Sequence, residues 1–130
     1  MTETKRFLGR AKMNWAENML LGHPFVRSRT QLALVNVIEP AATASKEGKL
    51  DSTFLRSHTF DELYLEVAQV ASGLRKLGVR EGDRVAAFTP NNSEAVIFVL
   101  ATSSLGGVFS SVSPEFGVPA VLERFHQVGA

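Results

Sequence analysis

The chain has 130 residues, with 14 basic and 13 acidic side chains and a formal charge of +1, a balance that gives no footprint for nucleic acid or an anionic membrane surface. It has no cysteine, which excludes disulfides, thiolate zinc sites and cysteine nucleophiles. The length suits one modest domain and the hydrophobic share, 45%, suits an ordinary globular core.

Residues 1–13 read as an irregular lead-in. They carry charges but no apolar run behind them, so they do not have the form of a secretory signal, and a cytoplasmic protein is expected. Asn14 can cap a short helix, Trp15 to Leu21, with Glu17 placed for a capping box. Gly22 stops that helix and Pro24 prevents its resumption. Trp15 and Met19 are expected to dock on the body. Gln31 to Ile38 reads as a strand with apolar residues on both sides, and Ser52 to Ser57 as a second, with Thr53 and Leu55 facing one way and Phe54 and Arg56 the other. Small and polar residues separate them, which predicts an antiparallel pair with a long exposed tip. Lys46 and Lys49 on that tip are read as solvated.

The clearest helix begins at Thr59. Thr59 and Glu62 form a capping box, Asp61 and Glu62 suit the positive end of the helix dipole, and Arg75 and Lys76 suit the negative end. Phe60, Leu63, Val67, Val70, Leu74 and Leu77 recur at intervals of three and four, an apolar stripe. Gly78 is the left-handed stop. The stretch from Asp83 to Gly117 then reads as strand, loop, helix, strand, loop. Val85 to Phe88 is a short apolar strand, broken by Pro90 and two asparagines. Ala95 to Ala101 is apolar on every side, as in a helix covered on all faces. Leu105, Gly106 and Gly107 stop it, and a second strand runs from Gly107 to Val112. A strand, a crossover helix and a second strand favour a parallel sheet. A final helix is expected over about Pro119 to Val128, with Pro119 at its first position and Val118, Val121, Leu122, Phe125 and Val128 as its buried stripe.

A doubly wound unit returns to the sheet with a further strand after such a helix. None follows here, so the chain reads as a fragment of a larger α/β protein with an unfinished sheet edge through which it can associate.

No phosphate-binding GxxxxGK[ST], dinucleotide GxGxxG, nucleophile-elbow GxSxG or zinc-binding HExxH motif is present. His23, His58 and His126 are scattered, with no partner spaced to orient them as bases or ligands. The serines between Ser103 and Ser113 have no adjacent base or oxyanion hole, so they read as packing and strand-end hydrogen-bonding groups. No catalytic residue and no metal site is assigned. In an open parallel sheet, ligands bind beyond the carboxyl ends of the strands. Two such ends stand out: Thr89 to Asn92, and the loop from Ser111 to Gly117. The second has hydroxyls, an aromatic wall and a glycine that allows close approach. Ser111, Ser113, Pro114, Phe116 and Gly117 are the candidate cleft residues.

The same residues resemble a known family. Thr59-Phe60-Asp61-Glu62-Leu63, then Leu77 to Val85 (LGVREGDRV), then Pro90-Asn91 are similar to the opening of the acyl-adenylate-forming, or AMP-binding, ligases. Asn14 to Leu20 (NWAENML) and Ser110 to Gly117 (SSVSPEFG), with Val121 to Phe125 behind them, resemble the acetoacetyl-CoA synthetases within that superfamily. The resemblance covers about residues 13–128. It implies a mixed α/β fold: residues 14–130 would be an incomplete N-terminal subdomain, with a partly parallel sheet and flanking helices, cut off before the ATP-binding motifs. It further implies an ATP-dependent acid–CoA ligase. There a carboxylate attacks the α-phosphate of ATP, giving an acyl-adenylate and pyrophosphate, and the CoA thiol then displaces AMP. The phosphate loop, the adenine- and ribose-binding residues and the catalytic lysine lie downstream in that family. ATP, Mg²⁺ and CoA are therefore implied for the full-length enzyme with its small-molecule substrates, none of them bound by this chain alone, and the chain is expected to be inactive by itself. The loop Ser113–Gly117 would line the CoA and acyl side of the cleft. The alternative is a short, non-catalytic interaction protein derived from such a ligase.

Overall fold

The computed structural model describes residues 12–22, 28–37 and 55–130. Most of the lead-in, the tip between the first two strands, and the expected facing of Thr53 and Phe54 lie outside the described residues. In chain order the elements are α1 (Trp15–Glu17), continued by a π-helical turn (Asn18–Gly22), β1 (Leu32–Val37), β2 (Leu55–Thr59), α2 (Phe60–Lys76), β3 (Arg84–Phe88), α3 (Ser93–Ser104), β4 (Val108–Val112) and α4 (Val118–Val128).

Two small sheets result. β1 and β2 pair antiparallel, with an irregularity between Leu32 and Leu34. β3 and β4 pair in parallel, Arg84 opposite Val108 through Phe88 opposite Val112. Parallel neighbours need a crossover, and α3 supplies it. α2 lies along α3, the β1–β2 pair packs on α2, α1 sits on α3, and α4 lies against β3 and β4. The fold is thus the mixed α/β arrangement the sequence implies.

The core collects where α1, α2 and α3 meet: Ala16, Leu20, Leu63, Val67, Leu74, Ile97, Leu100 and Ala101. Each large aliphatic side chain buried there contributes about 1.5–3 kcal/mol. Three expected stripes are corrected by the structure. On α1 and the π-helical turn that continues it, Ala16 and Leu20 are the buried residues, while Trp15 and Met19 are only about half covered, 48% and 43% exposed, on the rim of a basin they share with Leu63 and Leu100. On α2, Leu63, Val67 and Leu74 are buried, but Leu77 is 83% exposed, because it is the C-cap residue, where the chain has already left the helix line. On α4 only Val121 is buried, whereas Val118 and Leu122 are 71% and 63% exposed. α3 also departs from expectation: Ile97, Leu100 and Ala101 are buried, but Phe98 is partly exposed, so one side of that apolar helix is open.

The caps explain the boundaries. Asn14 Oδ1 accepts from the Glu17 amide at 3.1 Å, and Asn14 Nδ2 donates to the Ser104 carbonyl at 3.0 Å. One side chain therefore starts α1 and satisfies an orphan carbonyl at the end of α3. Asn92 Oδ1 caps α3 through the Ala95 amide at 3.0 Å. Gly78 and Gly129 follow α2 and α4 with φ of 98° and 67°, left-handed positions that glycine adopts without strain. At the head of α2 the capping box is complete. The Glu62 carboxylate accepts from the Thr59 amide at 2.8 Å and from Thr59 Oγ1 at 2.9 Å.

Those bonds favour the ionised carboxylate, so the Glu62 pKa is held below its usual 4.5, the Thr59 backbone bond contributing most and the Thr59 hydroxyl next. A lowered folded-state pKa means that the stabilisation is present above the unfolded value and is lost as pH falls through the folded one. We expect Glu62→Gln to reduce the pH dependence of stability below pH 4.5 in denaturant titrations, with little change in its shape above pH 6. Thr59→Ala removes the cap itself and should cost about 0.5–2 kcal/mol, measured as a shift in the urea midpoint. A Glu62→Gln protein with the full acid dependence would assign that dependence to other groups.

Candidate functional site

The parallel pairing decides where a site can form. Strands that run the same way end on the same side, and Phe88 is opposite Val112 at the last position of the ladder. The ladder continues one step further, with the Thr89 amide donating to the Val112 carbonyl at 3.2 Å. The loops that follow the two strands, Thr89–Asn92 and Ser113–Gly117, therefore start side by side at the carboxyl edge of the sheet, the place where such sheets hold ligands.

Each loop is held by its own polar groups. In the first, the Asn92 amide donates to the Pro90 carbonyl at 3.0 Å, Thr89 Oγ1 donates to the same carbonyl at 3.3 Å, and Asn92 caps α3. Glu94, in the first turn of α3, is paired with Arg56 of β2 at 2.7 Å, so the hairpin braces this corner. In the second loop, the Phe116 amide donates to the Ser113 carbonyl at 3.1 Å, closing a β-turn, and the Glu115 amide donates to Ser113 Oγ at 3.4 Å. Ser113 is thus already committed to shaping the turn. Gly117 is the N-cap of α4 and offers no side-chain cap; its carbonyl accepts from the Ala120 and Val121 amides.

The structure brings the sequence-derived residues together on one short path. Ser111 is exposed, and strand alternation turns it away from buried Val112. Ser113 is half-buried, and Pro114, Phe116 and Gly117 are exposed. One contact was not legible in the chain: the Arg124 guanidinium of α4 lies over the Phe116 ring, 6.0 Å from its centroid, within reach of a cation–π interaction. The eight-residue separation hides it, because α4 must first turn back past its own N-cap. The parallel ladder makes Thr89–Asn92, the other expected strand end, the neighbour of the serine loop.

The histidine at position 58 has a structural role. His58 is 3% exposed and its Nε2 lies 3.4 Å from Glu66 Oε2, tying β2 to the middle of α2. Among the described residues its Nδ1 and the Thr102 hydroxyl are the buried side-chain polar atoms without a hydrogen-bond partner. No group of three or more His, Cys, Asp or Glu side chains converges to hold a metal among the described residues, and no helix among them is long and apolar enough to cross a membrane.

Comparison with known proteins places this geometry. The family model described as "AMP-binding enzyme" matches residues 39–130, well over half of the chain. The chain belongs to the AMP-binding enzyme family. It is 41% identical over 118 residues to the acetoacetyl-CoA synthetase of Macaca fascicularis, covering 91% of this chain and 15% of that protein. It is 35% identical to the acetoacetyl-coenzyme A synthetase of Rhizobium meliloti, covering 95% of this chain and 16% of that protein. Among solved structures, the acetoacetyl-CoA synthetase from Streptomyces lividans superposes with a TM-score of 0.66 at 36% identity, over 89% of this chain and 16% of the other. The N-terminal subdomain of Klebsiella oxytoca NpsA superposes with a TM-score of 0.55 at 28% identity, over 58% of this chain and 20% of the other. The chain therefore spans about one-sixth of the length of the synthetases it matches, and the match lies in the N-terminal region of this AMP-binding family, as the NpsA subdomain indicates.

Proposed function

We propose that these 130 residues are the leading part of an ATP-dependent acid–CoA ligase that converts acetoacetate to acetoacetyl-CoA, and that they do not catalyse the reaction by themselves. The observation that carries this reading is the likeness to acetoacetyl-CoA synthetases, which extends over nine-tenths of the chain in both sequence and structure. A cytoplasmic location belongs to the same proposal. The role of this part is architectural: it fixes the ends of β3 and β4 so that the loop Ser113–Gly117 forms one wall of a cleft.

The donor set of that wall favours one ligand over another. Exposed Ser111 and half-buried Ser113 with the adjoining backbone, the exposed Phe116 ring, and Gly117 without a side chain offer hydroxyls, an apolar surface and room for close approach. That set fits the amide-bearing, flexible arm of CoA, which supplies the thiol that accepts the acyl group. It does not fit a Mg²⁺-bound triphosphate: Glu115 is the only carboxylate of the loop, and the Arg124 guanidinium already lies over the Phe116 ring. No step of phosphate chemistry is assigned to these residues.

The test is ATP–pyrophosphate exchange with acetoacetate. The 130-residue chain should give none. The same residues, exchanged for the superposing segment of the Streptomyces lividans synthetase, should support it. In that chimaera Phe116→Ala should raise the KM for CoA roughly tenfold, the equivalent of about 1.4 kcal/mol of lost contact, while pyrophosphate exchange, which needs no CoA, stays unchanged. Exchange by the short chain alone would overturn the inactivity, and an unchanged KM would remove the CoA-side role from Phe116.

A further inference from the structure

Phe116 is the aromatic ring of the loop Ser113–Gly117, and its backbone and its ring are held by different means. The backbone is fixed by the turn, since the Phe116 amide donates to the Ser113 carbonyl at 3.1 Å. The ring is not fixed by packing: Phe116 is 47% exposed and lies outside the core cluster. A ring half in water takes no single direction from burial, and the staggered positions of χ1 stay open to it. A wall that turns freely must be ordered when a ligand arrives, and that ordering costs affinity. The partner of the ring is Arg124, whose guanidinium carbon lies 6.0 Å from the ring centroid. Arg124 follows the N-cap Gly117 by seven residues, about two helical turns, so it returns to the side of α4 that carries the loop. Helical side chains lean toward the N-terminus, and a long one is needed to span the roughly 10 Å of rise back toward the loop. Among the described residues Arg124 takes part in no ion pair, so its partner is the ring and not a carboxylate.

We propose that Arg124 is a positioning residue: its cation covers one face of Phe116, holds the ring in a single rotamer, and so presents the opposite face as a ready-made wall for the uncharged arm of CoA. The use of that wall rests on the ligase reading given above; the holding of the ring does not. A cation–π attraction between exposed groups is modest. It is enough to favour one staggered rotamer over the others and too little to decide whether the domain folds.

Two measurements test the two halves. In the 130-residue chain, three-bond couplings across the Phe116 Cα–Cβ bond should report one χ1 rotamer. Arg124→Met keeps a long apolar side chain and removes the cation. It should average those couplings over several rotamers while the melting temperature stays within about 2 °C. Arg124→Lys, which keeps the cation, should recover most of the single-rotamer signal. Couplings already averaged in the unaltered chain, or unchanged by Arg124→Met, overturn the positioning role. In the Streptomyces lividans chimaera, Arg124→Met should raise the KM for CoA about two- to fivefold. Because pyrophosphate exchange uses no CoA, the rise should be confined to the CoA-dependent step. It should add nothing to the rise produced by Phe116→Ala, because Arg124 acts through that ring. An Arg124→Met effect that persists in the Phe116→Ala background overturns positioning and makes the guanidinium a direct ligand contact. A ring fixed by Arg124 with an unchanged KM in both variants supports the holding of the ring and overturns the CoA-side reading of the loop.

Discussion

Ile97→Ala should lower the unfolding free energy by about 2–5 kcal/mol, the cost of lost burial plus the cavity left behind. Ile97 is 5% exposed and belongs to the cluster that joins α1, α2 and α3. It does not border the open apolar basin that Trp15, Met19, Leu63 and Leu100 line. The adjacent Phe98 is the internal control. It is larger, but 38% exposed, and Phe98→Ala should cost less than Ile97→Ala despite removing more atoms. Urea denaturation of both variants, read as a midpoint shift at constant slope, checks the order. A larger loss for Phe98→Ala would move the centre of the core to the other side of α3.

The second large effect is expected at Gly107, between the end of α3 and the start of β4. A Cβ there would lie 2.9 Å from Thr102 Cγ2, 3.2 Å from the Thr102 carbonyl oxygen and 3.3 Å from the Asp83 carbonyl oxygen. Two of these three neighbours are backbone. They cannot rotate away, because both carbonyls are engaged: the Gly107 amide donates to the Thr102 oxygen at 3.0 Å and the Val108 amide to the Asp83 oxygen at 2.8 Å. Gly107→Ala should therefore cost about 1–3 kcal/mol through overpacking. Removing the Thr102 methyl relieves only the closest contact, so Thr102→Ser should recover part of the loss in the double variant and no more. Full recovery would mean that the backbone neighbours are not a constraint. No loss in the single variant would mean that α3 and β4 can slide apart freely.

Most of this architecture could be read from the chain. The Thr59–Glu62 box, the Gly78 stop and the intervals of α2 are local signals, and local bonds settle them. The strand–helix–strand order from β3 to β4 follows from the apolar runs and the Pro90 and Gly107 breaks. What could not be read is which apolar residues lie under another element. Leu77, Val118 and Leu122 all satisfy a helical interval, yet the Leu77 cap position and the two-stranded sheet leave them mostly exposed. Periodicity reports a side chain's direction around its own axis, and burial needs a second surface of matching extent. The site was legible in the same partial way. Strand-end chemistry singles out Ser111 to Gly117 as a candidate, and the ladder sets that loop beside Thr89–Asn92, but the cation–π contact of Arg124 with Phe116 depends on the return angle of α4, which no local pattern encodes.

The bond between Arg84 Nη1 and the Gly129 carbonyl, 3.3 Å long, joins the first residue of β3 to the glycine that caps α4. It closes a ring of structure from Arg84 to Gly129 within which strand pairing cannot begin until α3 has folded back to bring Val108 beside Arg84. α2, seventeen residues long with a finished cap at its head, has no such prerequisite and can gain helix on local bonds alone. Order is therefore expected to be acquired unevenly in time, α2 before the parallel ladder, because the ladder's contacts are distant along the chain. The loops after β3 and β4 hang from that pairing, so they are expected to take their shape after α2.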